Sequence, residues 1–197
     1  MLLDKLTERF EESVETINVG DETLGLIKLN GACGTVLCTL DLGEYQMPVP
    51  SKYEAEASIE LFILLPEYWK TTLDEVLFHW AAQRLVAIKS RLKSDHWAIS
   101  GHTFSLGELP SGRFKDLGFS ALLMMDPMAV EELKTPVQLG EKARYFKALC
   151  PIFKMEKDVK EARGMDKFMI RMMDKGVTEK LDEFRESVIK PRFLFWR

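Results

Sequence analysis

Residues 57–65, Ala-Ser-Ile-Glu-Leu-Phe-Ile-Leu-Leu, constrain this chain more than any other stretch. Side chains of a strand alternate between the two faces of a sheet. A strand that is apolar at nearly every position must therefore be covered on both faces. Pro66 closes it, and the chain has to supply layers above and below. Glu60 is the exception in the run. A lone carboxylate there is costly unless it is paired or hydrogen-bonded. Two readings are open for it: a structural acceptor tying a loop to the sheet, or a buried general base with a raised pKa.

The covering layers are readable as amphipathic helices. Leu3, Leu6, Phe10, Val14 and Ile17 recur at spacings of three and four, which predicts a helix over residues 1–19 ending near Asn18–Gly20. Thr72-Leu73-Asp74-Glu75 reads as a capping box, opening a helix that runs to about Leu92. Leu73, Val76, Leu77, Trp80, Ala81, Arg84, Ile88 and Leu92 fall on or near one face of it. Residues 155–163 read as a short helix. Met165, Phe168, Met169 and Met172 form the stripe of another, stopped by Gly176, and residues 178–187 read as one more. The methionine stripe is read as a core face, with an adaptable binding surface as the alternative.

Other strands are expected at 23–29 and 35–42, joined as a hairpin through residues 30–34, at 118–125, and at 143–152. Met47-Pro48-Val49-Pro50 is an extended connector, because proline lacks the N–H that a central strand needs. Residues 106–117, with Gly107, Pro110 and Gly112, read as a loop. Strands and helices interleave without regular βαβ spacing. The fold class is therefore α+β, a mixed sheet flanked by helices. A length of 197 residues suits a single domain spanning 1–197, with 188–197 as a C-terminal tail.

The formal net charge is −4, which argues against wholesale nucleic-acid binding. Residues 141–197 nevertheless hold 15 Lys and Arg against 10 Asp and Glu. An acidic body with a basic end suits a polarised protein partner; solvated helix faces would look the same. Residues 1–10 carry charge from Asp4 onward and do not read as a signal peptide. No run of 18 apolar residues is present, so no membrane span is expected. The 3 cysteines, Cys33, Cys38 and Cys150, match no zinc or redox spacing. They point to a reduced, cytoplasmic protein with mostly buried free thiols.

Catalytic signatures are missing. No G-x-S-x-G, G-x-G-x-x-G or Walker sequence occurs. The histidines are His79, His96 and His102, and none has metal-ligand spacing with another His, Cys or acid. Neither a metal nor a cofactor is expected. His102 follows a glycine after a tryptophan-bearing segment. It is either a site residue or a histidine bonded to backbone to fix the turn. Pairing Glu60 with His102 as acid and base would make an enzyme, with little else to support it. Phe193, Phe195 and Trp196 could anchor a partner or a regulatory oligomer, or dock on their own domain.

Several segments together resemble the suppressor of fused (SUFU) family. Residues 58–66 with Trp69 resemble its "ELxxxLPxxW" strand. Trp97 with Ser100-Gly101-His102-Thr103-Phe104 resembles its "W…GHT" segment. Residues 35–50, with Thr39, Gly43 and Met47-Pro48-Val49-Pro50, are similar to its "MPVP" region. The resemblance runs from about residue 20 to 190 and is to the single-domain bacterial branch. It implies a non-catalytic protein-binding domain of the immunity or antitoxin kind, whose partner could be a toxin. In the family's animal member the partner peptide adds as a strand beside the sheet, a mode that relies on backbone hydrogen bonds. Gly101, His102, Thr103 and Phe104, with Trp97 and Glu60, are accordingly the candidate partner-binding residues, and 101–105 the candidate edge.

Overall fold

In a computed structural model describing residues 1–30, 33–110 and 118–189, Ile59, Leu61, Ile63 and Leu65 of β4 (Ile59–Leu65) enter one apolar cluster. Phe62 and Leu64 enter another on the opposite face. This strand is covered on both sides, as its composition demands. The first cluster is roofed by α2 (Val76–Lys93) through Phe78, Trp80, Ala81, Leu85, Ile88 and Leu92. The second is covered by α1 (Leu2–Phe10) through Leu2, Leu6 and Phe10, and by α4 (Met165–Asp174) through Phe168 and Met172. Each Leu, Ile or Phe so buried contributes about 2 kcal/mol.

The sheet runs β1 (Glu15–Val19), β2 (Glu22–Lys28), β3 (Thr35–Thr39), β4, β8 (Lys142–Phe153), β6 (Phe119–Met125), β5 (Thr103–Ser105). The hairpin strand β7 (Val137–Leu139) pairs with the start of β8 off this path. Among the strand pairings of the described residues β4–β8 alone is parallel, so the sheet is mixed and the class α+β. α3 (Lys154–Arg163) follows β8 directly, its start capped by Glu156 reaching back to the Phe153 N–H.

Several expectations need correction. The helix expected over 1–19 stops at Phe10, where Glu11 takes the left-handed conformation with φ 55°. Residues 15–19 are instead an edge strand, pairing with β2 across a two-residue Gly20–Asp21 turn. Val14 and Ile17 satisfied the helical spacing, but Glu15-Thr16-Ile17-Asn18-Val19 also alternates with period two. The Gly-Asp turn after it was the deciding signal. α2 begins at Val76 rather than within the Thr72–Glu75 box; there the Glu75 N–H bonds Thr72 C=O at 3.0 Å as a turn. Residues 178–187 are not a helix. Lys180 makes a parallel bridge to Leu64, and Leu181 N–H donates to Leu64 C=O at 2.8 Å. Phe193, Phe195, Trp196, residues 111–117 and residues 31–32 of the expected β2–β3 turn lie outside the described residues.

Candidate functional site

β5 is the last strand on its side of the sheet among the described residues. Its pairing explains what it leaves open. Met124 N–H donates to His102 C=O at 2.8 Å. In an antiparallel ladder the next hydrogen-bonded pair lies two residues on, at Phe104 and Leu122. The N–H and C=O of Thr103 and Ser105 therefore point away from β6. Phe104 is buried in the first apolar cluster and anchors the strand, while Ser105 is exposed.

The turn feeding this edge is held from several directions. Gly101, at φ +99°, a backbone conformation that disfavours side chains, donates its N–H to the carbonyl of that Met124 at 2.7 Å. His102 N–H bonds Ile99 C=O at 3.1 Å. The His102 Nδ1 lies 3.1 Å from the Ile99 N–H and 3.0 Å from its C=O, so either tautomer finds a partner on Ile99. His102 is thus the turn-fixing histidine. Its ring also meets Trp97 edge-on at 5.2 Å, and Trp97 remains 37% exposed. Lys147, nearly buried, contacts Glu56 and Asp126, each at 2.7 Å, and Ser100 Oγ at 3.0 Å. From α3, Lys160 donates to Gly101 C=O at 2.7 Å. Burial pulls its pKa below the usual lysine value.

Glu60 does not belong to this edge. It is fully buried, takes the Thr39 hydroxyl at 2.5 Å, and accepts the N–H groups of Leu42 and Gly43 at 3.2 and 2.9 Å. Burial pushes its pKa up to about 7 against the hydrogen bonds from Thr39 and Gly43. Two strands, β8 and β6, intervene between β4 and β5, a separation of about 14 Å at the usual strand spacing. The structure does not bring Glu60 and His102 together as an acid–base pair. Among the described residues no group of three or more His, Cys, Asp or Glu could hold a metal ion.

Sequence reading placed Trp97 and residues 101–104 together, and the structure does so too. It missed Lys160 and the Lys147 cluster. Their partners lie tens of residues away, and no local pattern announces such contacts.

A family model described as suppressor of fused protein (SUFU) matches residues 30–186. No curated protein sequence matches the chain. A crystal structure of a SUFU homolog from Neisseria gonorrhoeae is similar at TM-score 0.65 and 14% identity, over 96% of each chain. A crystal structure of the Sufu–Fu complex is similar at TM-score 0.63 and 13% identity, over 94% of this chain and 90% of that one. At such identities the likeness is one of fold.

Proposed function

This chain belongs to the suppressor of fused (SUFU) family, and from that premise we propose that it is a protein-binding domain that accepts a partner segment as an added strand along β5. The open backbone groups of Thr103 and Ser105 carry this reading, because strand addition needs an accessible edge and no catalytic groups. Gly101, His102, Thr103 and Phe104 form the edge and the turn that feeds it, and Trp97 offers an exposed aromatic surface beside them. The similar fold of the protein in the Sufu–Fu complex supports a protein partner. More finely, the domain acts as an immunity-type inhibitor whose partner is a toxin. Its free cysteines support action in the cytoplasm, and no helix of the described residues is long and apolar enough to cross a membrane.

Proline at the outward positions tests this. Thr103→Pro and Ser105→Pro each remove an N–H that points away from β6 and leave the β5–β6 ladder intact. Tagged wild-type and variant chains are recovered from the native organism and their bound proteins identified. A stoichiometric partner held by the wild type and lost from variants of unchanged melting temperature supports the edge. If that partner is toxic when expressed alone and is neutralised by this chain, the inhibitor role follows. A partner retained at full strength by both proline variants sinks the assignment of β5.

A further inference from the structure

Helical spacing puts His79 and Gln83, and Trp80 and Arg84, on neighbouring stripes of α2. There they wall a cavity of about 540 Å3 whose opposite side is formed by Gly107 and Glu108. That volume falls within the range of small-ligand sites. Arg84 is the cation that interrupts the apolar stripe of this helix.

Two nitrogens in this wall are orphaned. Arg84 Nε and His79 Nδ1 are buried and have no hydrogen-bond partner among the described residues. An arginine stays charged at any working pH, and a partly buried cation without a counter-charge is costly. Lys89, further along the same helix, shows the contrast, because Glu22 and Asp41 both meet its ammonium. Glu108 lines the cavity, yet among the described residues no ion pair joins it to Arg84. The loop is shaped around the guanidinium. A Cβ on Gly107 would fall 1.8 Å from Arg84 Nη1, and Gly107 sits at φ +66°. A side chain at that point is strained by the backbone conformation, and its Cβ would displace the guanidinium.

We propose that this cavity binds a carboxylate. The planar guanidinium presents two parallel N–H groups that match the two oxygens of such a group. One guanidinium beside Glu108 suits a monoanion; dianionic phosphate would meet a carboxylate with only one full positive charge to offset it. The site does not depend on strand addition at β5, although Gly107 follows Ser105 by two positions. A free organic acid and an acidic side chain of a docked polypeptide both present the required group.

The Arg84 Nε–Hε resonance of the full chain reports the site directly. It is followed during titration with acetate, and with a blocked peptide carrying one glutamate, while chloride holds ionic strength constant. Both probes are expected to move it saturably. Arg84→Lys, which keeps the charge and loses the fork, should weaken binding about tenfold. Tighter binding of the peptide than of acetate assigns the carboxylate to a polypeptide; equal binding assigns it to a free acid. Thr103→Pro, which leaves the Ser105 hydroxyl holding the Gly107 N–H at 3.1 Å, should leave acetate binding unchanged, so this site and the β5 edge can fail separately. No saturable movement, an equal response to chloride, or wild-type affinity in a folded Arg84→Lys chain overturns the proposal.

Discussion

Glu60 accepts the Gly43 backbone N–H at 2.9 Å, so a carboxylate buried in β4 holds the loop that follows β3. Thr39 completes the grip, donating to Glu60 at 2.5 Å and accepting the Leu61 N–H at 2.9 Å. Lys89 holds the same loop through Asp41. The loop is thus tied both to the sheet and to α2.

Glu60 should make stability fall as pH rises. Burial raises its pKa from 4.5 to about 7, opposed by Thr39 and Gly43 and aided by the nearby Asp41 charge. Between those values the folded chain keeps a proton that the unfolded chain releases. The folded state therefore loses up to about 3 kcal/mol relative to the unfolded state across that window. Glu60→Gln removes this contribution. Urea unfolding at about pH 5 and about pH 8 should show a smaller drop in the variant than in the wild type. An equal drop would mean that the carboxyl is already ionised at the lower pH.

Lys89 joins α2 to both the β1–β2 hairpin and the Asp41 loop, with its side chain only 1% exposed. Burial lowers its pKa, but hydrogen bonds to Asp41 and Glu22 outweigh that and raise it. Lys89→Met leaves those carboxylates without this cation, although Lys93 still reaches Asp41 at 2.9 Å. Because both carboxylates are partly exposed, the cost should be about 2 kcal/mol. Adding Glu22→Gln should recover part of it, a non-additive effect visible in a double-mutant cycle. Strict additivity would show that the pair is not coupled.

These contacts also show what the sequence could reveal. β4 was legible because an unbroken apolar strand permits only a covered sheet, and Glu60 stood out within it. The loop that Glu60 holds was not legible, since residues 42 and 43 meet it only through tertiary packing. Residues 15–19 misled because helical and alternating periods coincide over so short a run, and only the Gly20–Asp21 turn separates them. His102 was legible as a turn histidine from the glycine before it. Arg84 fell on the expected face of α2, but the want of a counter-charge is a property of the fold.

His102→Ala should loosen the turn that feeds β5. The variant loses the Nδ1 bond to Ile99 and the edge contact with Trp97, a cost of about 1 kcal/mol. The Ile99 amide should exchange with solvent faster, while amides in the centre of β4 keep their protection. Unchanged exchange at Ile99 would mean that its N–H is not held by the ring. A fall in stability of several kcal/mol would instead assign His102 a part in the core.

Arg185 and Glu156 should act as a clasp on the C-terminal segment. The buried Glu156 carboxylate takes the Arg185 guanidinium at 2.8 Å and the Val188 N–H at 2.8 Å, while the guanidinium lies over the Phe153 ring at 4.7 Å. Arg185→Met leaves a buried carboxylate supported only by backbone donors, at a cost of about 3 kcal/mol. Glu156→Gln in the same chain should restore part of the loss, because the orphaned charge is then gone. The melting temperature of the single and double variants decides between this account and a purely packing role, in which the second substitution would bring no recovery.

Thiol reactivity should divide the three cysteines by their place in the fold. Cys38 and Cys150 are buried and Cys33 is exposed, all as free thiols. Burial pushes the Cys38 pKa far above the usual thiol value, aided by the Glu60 charge, and pushes that of Cys150 up to about 12. The thiolate is the reacting species, so in the folded chain only Cys33 should react promptly with a disulfide reagent. Cys38 and Cys150 should react at a rate set by opening of the fold and become fast in denaturant. Glu60→Gln should not expose Cys38, since the thiol is sealed by the second apolar cluster rather than by the loop. Prompt labelling of Cys38 in that variant would show that the Glu60 clamp also closes the sheet face beneath it.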